Sequence, residues 1–148
     1  MAGKFLIDVT DARFLIPANR DVMEFVRKTN PFAHSDIGSR LLDLHKELPG
    51  THAYCPSYGS CAYVVLHTNA NRIFGIAYGQ RGLALRLAAP AYTEALEDGG
   101  VPALSIGPDW LAFAAYDGPR ESGAYARLQR WSARAFTDAG GEAPQGRS

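Results

Sequence analysis

Residues 61–88 constrain the fold of this chain more than any other stretch. They read CAYVVLHT, then NAN, then RIFGIAYG, then a GQRG turn and LALRLA. Three runs rich in β-branched and aromatic residues are thus separated by only a few turn-forming residues. Links that short leave no room for a crossover helix, so the three strands must run antiparallel. Whatever else the chain builds must pack on this meander.

The flanking segments change period. ANRDVMEFVRKTN, at 18–30, places Val22, Met23, Phe25 and Val26 on one helical face, with Asn19 as its cap. Pro31 ends that helix, because it biases Asn30 away from helical geometry. HSDIGSRLLDLHKELPG, at 34–50, repeats Ile37, Leu41, Leu44 and Leu48 at helical spacing, with Ser35 as N-cap and PG as the stop. A short helix follows the third strand at 89–100, with Pro90 in its first turn and Gly99–Gly100 beyond its end. DWLAFAAYDG, at 109–118, is a fourth strand. A last helix at 121–141 presents Tyr125, Leu128, Ser132, Ala135 and Phe136 on one face. KFLIDV, at 4–9, reads as a short extra strand. The order is (β)ααβββαβα, an α+β class with helices packed on an antiparallel sheet. Residues 1–137 form one domain in this reading. Within it, 1–35 are an N-terminal extension packed on the rest, and 138–148 are a polar, disordered tail.

The chain has 148 residues, 47% of them hydrophobic and 20% charged, which is ordinary for one globular domain. Fifteen basic residues balance fifteen acidic ones, so no global field draws the chain to nucleic acid or anionic lipid. No apolar run approaches the ~18–20 residues of a membrane span. Asp8 and Asp11 interrupt the apolar start and make it a poor signal peptide. Two cysteines are too few for a secreted disulfide framework. A cytoplasmic protein with reduced thiols is expected, and the Gly, Ala and Arg content suits a GC-rich bacterial genome.

From the second helix onward the pieces LLDLHKELPG, CAYVVLHTNANRIFGIAYG, LALRLAAPAYTEAL, GPDWLAFAAYD and YARLQRWSARAF resemble the YjbR/MmcQ-like family, related to the N-terminal domain of TfoX. The resemblance covers about residues 39–137. It implies a double-wing-like α+β fold and DNA binding, and no catalytic residues. Arg86 stands where the family's third strand usually carries Lys, and the first thirty-odd residues have no counterpart in the pattern.

Chemistry is sparse. His52, Cys55, Cys61 and His67 fall within sixteen residues. Zinc needs about four such ligands in a tetrahedron. Cys61 and His67 share a strand face, yet six residues at ~3.3 Å each separate them by about 20 Å. No metal is expected there. CPSYGSC is not the compact C-x-x-C redox motif, so Cys61 reads as a core residue and Cys55 as a loop residue. The stretch reads as a loop leading into the first strand of the meander. SYGSC is not a nucleophile elbow. His34, His45, His52 and His67 offer bases without an evident partner, and His45 reads as surface. Gly75, Gly79 and Gly82 mark bulges or turns rather than a phosphate loop. No cofactor and no catalytic residue is expected.

The strongest functional feature is basic. Arg127, Arg130 and Arg134 recur along one face of the last helix, with Trp131 beside them. Arg72 and Arg81 sit at hairpin ends, the tips of a winged fold. Arginine beside an aromatic suits phosphate and base contact. The bland counterpart is a solvated helix face offset by Glu94, Glu97 and Asp98, with Trp131 packed on the sheet. Non-catalytic binding is therefore expected, with nucleic acid as first candidate. A protein partner or second copy is the alternative, and a small-molecule or enzymatic pocket at His52, Tyr54, Arg86 and Trp110 is the third.

Overall fold

The computed structural model describes residues 12–29, 35–54, 64–78, 82–114 and 123–140. The meander forms the centre of a six-stranded antiparallel sheet of order β1-β2-β3-β4-β6-β5. The strands are β1 (His52–Tyr54), β2 (Val64–His67), β3 (Ile73–Tyr78), β4 (Gly82–Arg86), β5 (Val101–Pro102) and β6 (Trp110–Ala114). Four α-helices lie among the described residues: α1 (Arg20–Thr29), α2 (Ser35–Glu47), α3 (Ala91–Glu97) and α4 (Ala124–Asp138). Two single 3-10 turns, Ala12–Phe14 and Pro17–Asn19, precede α1. The class is α+β.

Both faces of the sheet are buried, which gives three layers. Leu66, Ala77, Leu83, Leu85, Leu111 and Phe113 face α2, α3 and α4, where Leu41, Leu44, Ala95, Leu128 and Phe136 meet them. Val65, Ile73, Ile76, Ala84 and Trp110 face the other way, toward Phe14, Val22, Met23, Phe25 and Val26. Strand alternation alone does not produce this division in β3. Leu66 pairs with Gly75 and His67 with Ile73, so Phe74 has no partner on β2. That bulge turns Phe74 and Gly75 to the same face. A Cβ on Gly75 would lie 3.3 Å from Leu85 Cδ2, so glycine leaves room for the leucines that flank it.

Asn19 fastens the α1 layer to the sheet. Its Nδ2 donates to the carbonyls of Phe14 (3.0 Å) and Asn71 (2.8 Å), and its Oδ1 accepts from Ile73 N–H (2.8 Å). The expected role as helix cap is replaced: a buried amide spends its three bonds on backbone before α1 and on the β2–β3 hairpin instead.

Other expectations are corrected. His52–Tyr54 is not loop but the edge strand β1, paired antiparallel with β2. β5 is a second strand without a sequence signal. Three-residue and two-residue strands are too short to show a period. His45 is half-buried rather than surface, with Nδ1 3.1 Å from Thr51 Oγ1, because the last turn of α2 packs over the chain entering β1. The last helix covers Ala124–Asp138, inside the 121–141 read for it. The expectations for KFLIDV, Asn30, Pro31, His34, Cys55, Cys61, Gly79, Arg81 and residues 141–148 lie outside the described residues, as do the side chain of Ser35 and most of the His52–His67 stretch.

Candidate functional site

The arginine stripe meets an acidic neighbour. Asp98 caps the C-terminus of α3, with Gly99 at a φ of +107° carrying the chain on toward β5. Arg130 Nη1 lies 2.6 Å from Asp98 Oδ2, and Trp131 Nε1 donates to the same oxygen at 2.8 Å. Arg134 sits 3.7 Å from both Glu94 and Asp138. The Trp131 indole N–H, and after it the charges of Arg130 and Arg127, hold the Asp98 carboxyl below its ordinary value. Trp131 is buried in the helical core and offers no open ring face for a base. Arg72 does not project from its hairpin: its Nη1 donates to Ala139 O at 3.3 Å, where a cation complements the C-terminus of α4.

The four residues of the pocket expectation fall in two places. His52 and Tyr54 stand on the β1 edge. His52 stacks on His67 with ring centroids 5.2 Å apart and 21° between planes, and its Nε2 is 2.6 Å from Asn69 Oδ1. Tyr54 packs on Phe14, with the Arg13 guanidinium 4.8 Å from its ring. His67 is buried and bonds Thr68 O through Nδ1. Burial pushes its pKa down, and the charges of His52, Arg13 and His45 add to that against the opposing Thr68 carbonyl. Arg86 and Trp110 are direct cross-strand partners on β4 and β6. Three inter-strand steps, about 14 Å, separate Arg86 from β1, and four, about 19 Å, separate Trp110 from it. The four do not share one pocket. Trp110 is core, at 1% exposure.

Arg86 does line a cleft, in other company. Its Nη1 donates to Ala18 O at 2.6 Å. Beyond it Leu87 N–H bonds Asp109 O at 2.9 Å, and Ala88 N–H bonds Asp138 Oδ2 at 3.0 Å. The ends of β4 and α4, the starts of β3 and β6, and the 3-10 turn before α1 thereby converge. Between them is a cavity of about 130 Å³ whose charged lining is Arg72, Arg86, Asp109 and Asp138. Each arginine donates one bond to a backbone carbonyl and retains further donors. The Asp109 carboxylate has no partner among the described residues. Asp109 and Asp138 carry no sequence signal toward a site, since only the tertiary fold brings them beside Arg86.

A second hollow of about 290 Å³, more open, lies between Phe14–Pro17 and the outer side of α1, where Arg20, Glu24 and Arg27 rim it. Among the described residues no group of three or more His, Cys, Asp or Glu side chains is placed to hold a metal ion, and no helix is long and apolar enough to cross a membrane. No family model, no curated protein and no solved structure matches the chain.

Proposed function

We propose that this domain is a non-catalytic binding module whose site is the cleft between Arg72 and Arg86, and whose ligand is a small charged molecule. One observation carries the reading: two arginines and two aspartates, delivered by separate parts of the fold, face one cavity of about 130 Å³. Ligand pockets for drug-sized molecules run from roughly 300 Å³ upward, so the cleft suits a small molecule better than a nucleotide or a large cofactor. Half-buried Arg86, already oriented by Ala18 O, is the anchor. Thermal shift measurements test this against small carboxylates, inorganic phosphate and amino acids. A specific ligand at one hundred times its Kd stabilises the fold by about 2.7 kcal/mol. Absence of any shift, for every compound at millimolar concentration, removes the reading.

Nucleic-acid binding is the second reading, favoured by the common face of Arg127, Arg130 and Arg134 on α4. It ranks lower because phosphates would have to displace Asp98 and Glu94 from Arg130 and Arg134. A titration at about 50 mM salt, where phosphate contacts are strongest, decides it. Kinship with the YjbR/MmcQ-like family stands as part of the proposal. It is supported by the order β2-β3-β4-α3, then a Trp-led β6 and a final α4.

A further inference from the structure

Building on the ligand-binding reading above, we propose that the ligand of the Arg72–Arg86 cleft is a compact zwitterion, a small amino acid whose carboxylate meets Arg86 and whose ammonium meets Asp109. The charge balance of the lining is the first argument. Two guanidinium groups and two carboxylates face the same cavity. A bare anion drawn by Arg86 also meets the field of Asp109 and Asp138, and a bare cation meets the reverse. A molecule carrying both charges matches both sets, and charge complementarity of this kind sets specificity.

The state of each group is the second argument. Asp138 is already committed, through Oδ2, to Ala88 N–H, and its other oxygen lies 3.7 Å from Arg134 Nε. Asp109 is exposed and has no partner among the described residues, although its carbonyl is fixed by Leu87 N–H. Its backbone is therefore placed while its carboxylate remains open to a ligand. Arg86 is fixed by one bond to Ala18 O, which leaves donors for a carboxylate. Because Asp109 precedes Trp110, the cross-strand partner of Arg86, the open acid and the anchored base are brought to the same end of the β4–β6 pair.

Size is the third. A volume of about 130 Å³ is small beside the roughly 300 Å³ and more of drug-sized pockets. That accommodates an ammonium and a carboxylate one or two carbons apart, with a short side chain.

Isothermal titration with alanine and β-alanine, and with their halves propionate and ethylamine, tests the inference. The proteins are wild type, Asp109→Asn and Arg86→Gln. Wild type should bind one of the two amino acids at least about tenfold more tightly than either half, since each charged hydrogen bond left unmade costs that much or more. Asp109→Asn should lose at least about tenfold for the amino acid while keeping or improving propionate binding. Arg86→Gln should lose both. Asp109 is exposed, so its variant should melt with wild type and remain a fair test. Propionate binding as tight as the amino acid, or an amino-acid affinity indifferent to Asp109→Asn, overturns the zwitterion and leaves a small-anion site. Failure of wild type to bind any of the four, or inorganic phosphate, overturns the site itself.

Discussion

Trp131 donates its indole N–H to the Asp98 carboxylate at 2.8 Å, across 33 residues of chain. The same oxygen takes Arg130 at 2.6 Å. One acid therefore closes α3 against α4 and satisfies a mostly buried donor. Asp98→Ala leaves that indole N–H without its acceptor. The expected cost is about 1–3 kcal/mol in urea unfolding. Asp98→Asn keeps an acceptor and should recover much of the loss. If Asp98→Ala unfolds at the wild-type midpoint, the indole has water as an alternative partner and this contact does not hold the helices together. The same variant frees Arg130, so it is also the protein in which a masked affinity for nucleic acid would surface.

His67 gives the fold a pH dependence. Its pKa lies below 6.5, first because it is buried and then because His52, Arg13 and His45 crowd it with positive charge. The folded chain therefore binds fewer protons than the unfolded one just below that value. Stability from this group is complete above about pH 6.5, and it is lost as pH falls through the lower folded pKa. Urea midpoints measured between about pH 8 and about pH 5 should decline on the acid side. His67→Phe should flatten the decline. An unchanged slope in that variant would assign it to other groups.

Asn19 offers a sharper stability test. Its amide ties Phe14 O, Asn71 O and Ile73 N–H together. Asn19→Ala should cost about 2–4 kcal/mol, because three backbone groups lose a partner in a buried place. Asn19→Asp should be no better, since a carboxylate cannot donate to two carbonyls. Hydrogen exchange at the Ile73 amide should speed up in Asn19→Ala, which removes the acceptor, more than in Asn19→Asp, which keeps one. Unchanged protection in Asn19→Ala would mean that the amide is shielded by packing alone.

Periodic features were legible in the sequence and paired features were not. Val22, Met23, Phe25 and Val26 repeat at helical spacing, and all four are buried. The turn at 69–71 gave the β2–β3 hairpin, and Trp110 was placed at the head of its strand. β1 and β5 escaped, because strands of three and two residues exist only through the strand beside them. Asn19 looked like a helix cap because a cap is a local role, whereas two of its three partners lie 52 and 54 residues away. The arginines of α4 were visible as a stripe, and their acids on α3 were visible as a possible offset. Asp109 and Asp138 were not legible as a site at all. No spacing rule links either to Arg86, and only the closing of β4 onto β6 and of α4 onto Ala88 brings them there.

The face of the sheet toward α1 depends on Trp110. The ring is 1% exposed, and the small Ala84 and Ala112 lie near it on the same face. Trp110→Ala removes the largest side chain of that layer, and neighbours this small cannot fill the space. The expected loss is about 3–5 kcal/mol. For a chain of this length that lowers Tm by on the order of 10 °C. Leu104 is the control. It lies in the turn between β5 and β6 and is 72% exposed, so Leu104→Ala should stay within about 0.5 kcal/mol of wild type. The two variants come from one short stretch of chain and differ chiefly in burial. A loss below about 1 kcal/mol for Trp110→Ala would contradict the three-layer packing, because a tryptophan enclosed between sheet and helix cannot be removed so cheaply.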